Sequence, residues 1–229
     1  MGYHSDKTFG ATPYIVQNAA KNITVMVDTP KFSKNSVESV EKICGKSGPT
    51  YHFITHVDDS SGHNDWKNKC PDIKRIFHSG DLGIHNWIGD KSLEHVEILL
   101  ESDSSSTRDS AWTLEGMPLP TDNSKFYENQ EFVILHTPGH SPGSISLLFE
   151  GIILFTGDTL AYSLREDGMS GFPRYGNNLK QQAQTLQSLL DIPWEFVAPG
   201  HGKYRAYDYD MRDVRAREIQ EAANKLLKY

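Results

Sequence analysis

Residues 131–158 read EFVILHTPGHSPGSISLLFEGIILFTGD. Three apolar runs, Phe132–Leu135, Ile145–Phe149 and Ile152–Phe155, are separated by turns rich in Gly and Pro. Runs of this length, bounded by such breakers, predict three successive β-strands. The turn between the first two carries His140, and the third ends directly in Gly157–Asp158. Two potential metal-ligand side chains are thus delivered at strand ends, in polar turns.

Working outward, the same pattern recurs. YIV (14–16) and ITVMV (23–27) predict two strands around a polar turn, and YHFITH (51–56) predicts a third. SKNSVESVEKICGK (33–46) places Val37, Val40 and Ile43 at helical spacing, with Gly45 suited to the C-terminal cap. NDWKNKC (64–70) opens a short helix, RIFH (75–78) a strand and HVEILLES (95–102) another. Residues 102–125 are rich in Ser, Asp and Pro and predict a surface excursion with little regular structure. Leu179, Ala183, Leu186 and Leu190 share one helical face, WEFVAPGHG (194–202) reads as a last buried strand and turn, and 211–229 closes as an amphipathic helix. Clustered strands with helices between and after them imply sheets covered by helices, an α/β layer architecture. The whole of 1–229 is read as one domain.

Composition narrows the function classes. With 23 Lys and Arg against 30 Asp and Glu, the net charge is −7, which argues against a nucleic-acid surface. No apolar run approaches bilayer length, so no membrane partner is expected. The two cysteines, Cys44 and Cys70, have no CxxC spacing and point to a reducing compartment. The start, MGYHSDKTFG, has no apolar signal core. A targeting segment removed ahead of it is left open.

Four strand ends carry candidate ligands: His56, Asp58, Asp59 and His63 in THVDDSSGH, His140 in HTPGHSPGS, Asp158 in LFTGDTL and His201 in APGHG. A turn histidine alone is usually a solvated side chain; four ligand-bearing turns at the same end of apolar strands are not explained that way. The set resembles the metallo-β-lactamase superfamily, in order and over most of the chain. HTPGHSPGS, LFTGDTL and APGHG are close to that family's third, fourth and last motifs. The resemblance implies a four-layer αββα sandwich with a metal site at one edge between two sheets. His140 would bind a first metal, Asp158 would bridge two, and His201 would bind the second.

The first motif departs from the family's H-x-H-x-D-H. His56 matches, but Asp58 stands where the second histidine belongs. The Asp-His pair falls on Ser60–Ser61 without a gap, or on Gly62–His63 with two residues inserted. A plant and algal branch with a THxDD opening is similar, sharing the FGATPY and HSGD runs found here, and supports the inserted alignment. The resemblance therefore implies His56, Asp58 and His140 with Asp158 on one metal, and Asp158, His63 and His201 on a second, with a mononuclear site as the alternative. Carboxylate in place of imidazole gives a harder, anionic donor set, accepted by zinc but also favouring iron or manganese. One or two Zn2+ ions are expected, with Fe or Mn as alternatives.

The remaining histidines are assigned to structure: His136 as a hydrogen-bonded partner of the His140 turn, and His52 and His78 as supports. His4, His85 and His95 carry no context. The four tryptophans are read as packing and Cys70 as inert. The loop 161–178, starting beside Asp158, borders the substrate, with Arg165, Arg174 and Tyr175 able to orient an anionic group. The resemblance implies a hydrolase using metal-bound hydroxide, with Asp58, Asp59 and Asp158 handling water and proton. The expected substrate is a small thioester or ester, as in the hydroxyacylglutathione hydrolase branch. The alternatives are a mononuclear iron oxygenase of the persulfide dioxygenase type and a non-catalytic metal-binding scaffold. A soluble protein of the cytoplasm or plastid is implied, with the oligomeric state open.

Overall fold

Alternation along the strands assigns each face a partner. In ITVMV, Val25 and Val27 turn to one side and Met26 to the other, and all three are buried. Strands buried on both faces need a layer on each side. The computed structural model, which describes residues 10–18, 20–84, 92–102, 110–120, 126–128 and 130–229, supplies them.

The first sheet holds β1 (Tyr14–Asn18), β2 (Ile23–Val27), β3 (Tyr51–Phe53), β4 (Lys74–His78) and β5 (Ile98–Leu100), in that spatial order. β1 and β2 form an antiparallel hairpin; β2 to β5 run parallel. The second sheet holds β6 (Ala111–Trp112), β7 (Phe132–His136), β8 (Ile145–Phe149) and β9 (Ile153–Gly157). A separate ribbon of β10 (Ala161–Ser163) and β11 (Gly168–Ser170) follows, and then β12 (Phe196–Pro199) and β13 (Arg205–Ala206) complete the second sheet in the order β13-β12-β9-β8-β7-β6.

Among the described residues, four α-helices cover the outer faces: α1 (Lys34–Cys44), α2 (His63–Lys69), α3 (Leu179–Ser188) and α4 (Arg212–Leu226). Between the sheets lie Val25, Phe53, Ile76, Ile134, Leu147 and Phe155. Under α1 and α2 lie Met26, Val40, Trp66 and Ile73. Under α3 and α4, Val133, Leu148, Leu154 and Val197 meet Leu186, Ile219 and Leu226. The order is helices, sheet, sheet, helices, the αββα sandwich expected. Each fully buried Ile, Leu or Phe contributes about 1.5–3 kcal/mol. This packing holds the two sheets, and the loops at their ends, in register.

Local chemistry explains the helix bounds. Ser33 caps α1 by accepting the Ser36 N–H, and Gly45, at φ 74°, returns its N–H to Glu41. Ile43, expected on the buried face, is 37% exposed. Val37, Val40 and Cys44 form the inward stripe instead, because a 3.6-residue period turns position 43 to its edge. His52 and Phe53 point to opposite faces of β3, yet both are fully buried, since α1 and α2 close the outer face. Among the described residues of the 102–125 excursion, Ala111–Trp112 form a short strand, β6, paired to β7. The β10–β11 ribbon was not anticipated: its six residues show neither alternation nor an apolar run.

Candidate metal centre

At one edge of the sandwich, the ends of β3, β9 and β12 and the turn between β7 and β8 converge. His56 follows β3, and Val57–Asp59 form a single turn of 3-10 helix. His140 lies in the β7–β8 turn, Asp158 follows β9 and His201 follows β12. His56, His140 and Asp158 each offer a donor atom within 4.8 Å of the others. Asp158 Oδ2 lies 3.7 Å from His56 Nε2, 3.7 Å from His140 Nε2 and 3.5 Å from His201 Nε2. Asp58 Oδ2 lies 3.9 Å from His56 Nε2 and 3.7 Å from His140 Nε2. Metal–ligand bonds of about 2.0–2.2 Å in a tetrahedron separate donors by roughly 3.3–3.6 Å. The donor atoms of His56, His140 and Asp158 thus stand slightly wider than one ion would hold them, close enough to close on a common cation.

What aims His56 is a side chain the sequence reading passed over. Asp28, at the end of β2 with φ 57°, accepts both the Thr55 N–H (2.9 Å) and the Thr55 hydroxyl proton (2.7 Å). The Thr55 oxygen, its own proton committed, accepts from His56 Nδ1 at 3.0 Å. Nδ1 therefore carries the ring proton and Nε2 the lone pair. Nε2 is buried without a hydrogen-bond partner, facing the carboxylates. Metal-ligating histidines are oriented in this way, by an acceptor on the far nitrogen. The signal in the sequence is an aspartate directly after an apolar strand, in MVDTP.

A second missed residue ties the loops together. Asp81, 1% exposed in the HSGD run after β4, accepts the Val57 N–H (3.0 Å) and the Ser141 hydroxyl (2.7 Å) on Oδ2. Its Oδ1 accepts the Gly143 N–H at 2.5 Å. One carboxylate thus joins the His56 loop of the first sheet to the His140 turn of the second. Asp81 stands in the same strand–Gly–Asp context as Asp158, which was the legible signal. Gln182 of α3 donates to the carbonyls of Asp158 (3.4 Å) and Thr159 (2.9 Å). Close approach accounts for two glycines: a Cβ on Gly157 would collide with the Thr55 hydroxyl, and one on Gly200 would lie 2.8 Å from Asp158 Oδ1. The histidines assigned to structure behave so. His136 Nε2 lies 2.9 Å from the Pro142 carbonyl oxygen, and His78 stacks on His136 with ring centroids 4.3 Å apart.

The two ends of the first loop are treated differently. His63 starts α2, fully buried, with Nδ1 3.1 Å from Arg75 Nη1. Arg75 also donates to Asn64 Oδ1, the His95 carbonyl and both oxygens of Glu97, whose carboxyl is drawn down to about 2 against the effect of burial. Asp59 is 2% exposed, and its Oδ2 has no hydrogen-bond partner. Burial, then the charges of Asp158, Asp28 and Asp58, raise its carboxyl well above the ordinary range. Burial lowers His56 to about 4. His140, which burial alone would depress, is held above the usual imidazole value by Asp58, Asp158 and Asp81.

The segment after the ribbon borders the site. Phe172 stands edge-on to the His201 ring at 5.4 Å, and Asn177 and Asn178 donate their N–H groups to the carbonyls of His140 and Gly139. Arg174 and the exposed Tyr175 lie on this segment. Arg165 lies in the exposed β10–β11 tip, beside Glu166, which pairs with Lys225. The buried Asp158 carboxylate beside the free lone pair of His56 Nε2 suits a cation, and mixed N and O donors suit zinc, iron or manganese.

The family description "Metallo-beta-lactamase superfamily" matches residues 56–201, from the first of these ligands to the last. No protein of curated function matches by sequence. Among solved structures, TMB-1 is 18% identical with a TM-score of 0.62, the match covering 97% of this chain and 92% of that one. ETHE1 from Myxococcus xanthus is 19% identical with a TM-score of 0.59, over 98% and 84%. A metallo-β-lactamase from Hirschia baltica is 17% identical with a TM-score of 0.58, over 94% and 85%. At these identities the likeness is one of fold.

Proposed function

The chain belongs to the metallo-β-lactamase superfamily, and on that premise we propose that it is a metal-dependent hydrolase of a small thioester or ester. The observation behind this reading is the convergence of His56, Asp58, His140 and Asp158, from three separate loops, with donor atoms mostly 3.7–3.9 Å apart. A metal held there, zinc first and iron or manganese otherwise, would lower the pKa of water from about 15.7 toward 7 and polarise a carbonyl oxygen. The protein's own groups would do the rest. Asp58, a third of whose side chain is exposed, takes the proton of the attacking water and returns it to the leaving thiolate or alkoxide. Asp158 and Asp59 hold the inner wall of the site. Arg174 and Tyr175, with Arg165 farther out, orient an anionic part of the substrate.

Metal quantification followed by a panel of thioesters, esters and phosphoesters tests the proposal. Turnover is expected on thioesters, abolished by a chelator and restored by added Zn2+. A fully loaded protein inert to the whole panel would sink it. Among the described residues no helix is long and apolar enough to cross a membrane.

One observation favours a second reading. Two imidazoles with a carboxylate, the donor trio of His56, His140 and Asp158, is also the ligand set of non-haem iron oxygenases. Iron as the bound metal, with oxygen uptake in the presence of a persulfide and no thioester turnover, would establish it over the hydrolase.

A further inference from the structure

We infer that Gln182 is a positioning residue of the metal centre: its side chain fixes the turn that carries Asp158, and its backbone seats the turn that carries His140. The inference rests on the metal-centre reading above and deepens it.

The sequence puts an amide where packing alone calls for an apolar side chain. On α3, Leu179, Ala183 and Leu186 form the stripe turned to the core, and Gln182 lies in that stripe, fully buried. A buried amide left unpaired is costly, so its hydrogen bonds define its place. The two Nε2 hydrogens go to consecutive carbonyls of the Asp158 turn, Thr159 at 2.9 Å and, more loosely, Asp158 at 3.4 Å. Carbonyls only accept, so the amide nitrogen has to face them, and Oε1 is left buried without a partner. A side chain that served only to fill space would leave no such orphan. The donors are what this position supplies.

The Asp158 turn is closed from within by the Thr159 N–H on the Thr156 carbonyl (3.1 Å) and the Thr156 hydroxyl on the Leu160 carbonyl (2.8 Å). Gln182 therefore anchors a formed turn, and the anchor sets where Asp158 Oδ2 stands among His56, His140 and His201. The backbone of the same residue meets the other ligand turn. A Cβ on Gly139 would lie 2.3 Å from both Gln182 N and Gln182 Cα, so the chain before His140 rests directly on this part of α3. To either side, the Asn178 N–H donates to the Gly139 carbonyl at 2.8 Å and the Thr185 hydroxyl to the Pro138 carbonyl at 2.7 Å. Residue 182 is the point at which Asp158 and His140 are both referred to one helix. Releasing the amide would let Asp158 drift relative to His140, and ligands on a shared metal tolerate only about 0.5 Å of that.

The test is Co2+ binding to the full chain, read by competition with a chromogenic chelator and by the visible spectrum of the metal-saturated protein. Gln182→Met keeps the length and the helix propensity and removes the donors. It is expected to weaken Co2+ binding by about 10–100-fold and to alter the spectrum at saturation, because the coordination geometry changes. Leu186→Val, one turn along the same stripe, controls for a merely structural role. It is expected to lower the urea midpoint of the metal-free protein while leaving affinity and spectrum as in the wild type. Gln182→Asn keeps the amide but withdraws it by one methylene, and is expected to weaken Co2+ in the same direction; it decides the matter if the methionine variant does not fold. Wild-type affinity and spectrum in the folded Gln182 variants would overturn the inference, as would an equal loss of affinity in Leu186→Val. Either result would leave the hydrolase reading standing. A wild type that takes up no Co2+ would remove both.

Discussion

His56 and His63 open and close one short loop, and both are buried, yet their rings are prepared for opposite purposes. At His56, a carboxylate acting through a hydroxyl holds the ring proton on Nδ1 and frees Nε2 toward the site. At His63, a guanidinium presses a donor onto Nδ1 and commits the proton to Nε2. The difference lies wholly in what stands behind the ring: Asp28 and Thr55 in one case, Arg75 and Glu97 in the other. A histidine becomes a ligand through its neighbour, and motif position alone does not decide it.

The largest expected effect of breaking this contrast is at His56. His56→Ala removes a ligand and should weaken metal binding by more than the 10–100-fold, roughly, that loss of a supporting partner costs, with hydrolysis falling to background. Unchanged metal content and turnover would refute the site. Next, Arg75→Met should cost about 3 kcal/mol of stability, read from the urea midpoint, by leaving buried acceptors and Glu97 without their donor. Metal content at the His56 position should not change. Thr55→Val, the counterpart on the other ring, should cost less stability. It should weaken metal binding by about 10–100-fold, measured by competition with a chromogenic chelator, because Nδ1 loses its acceptor.

The last expected effect is in pH. His52, on the His63 side of β3 and influenced by both His63 and Arg75, is lowered by burial to about 3, as is His78 beside His136. The unfolded chain binds these protons near pH 6.5 and the folded protein resists them. Their contribution is therefore complete above about pH 6.5 and lost as pH falls toward 3. The urea midpoint should decline between roughly pH 6.5 and 4.5. His52→Gln, whatever it costs at neutral pH, should flatten that decline; an unaltered slope would show that His52 is not one of the groups responsible.

The fold was legible because its strands are apolar on both faces and end in turns that break them. The polar exceptions at those ends, His140, Asp158 and His201, stood out against that background. Their supports did not. Asp28 and Asp81 occupy contexts that also fit strand boundaries, and their partners, Thr55, Val57, Ser141 and Gly143, are up to 62 residues away. Long-range acceptors of this kind leave no local period to read. The separation of Asp58 from Asp59 depends on one three-residue turn, too short to announce itself. The proton on His63 was illegible for a similar reason: Arg75, twelve residues away, looks in the sequence like an ordinary strand cation.

Asp81 has a practical consequence for anyone transplanting loops within this fold. Its two oxygens bind Val57 from one sheet and Ser141 and Gly143 from the other. The His56 loop and the His140 turn are therefore heritable as a set with position 81, and neither can be exchanged alone. A chimera that takes the His56 loop from a relative and keeps its own His140 turn should assemble its ligands only if the aspartate and its donors travel too.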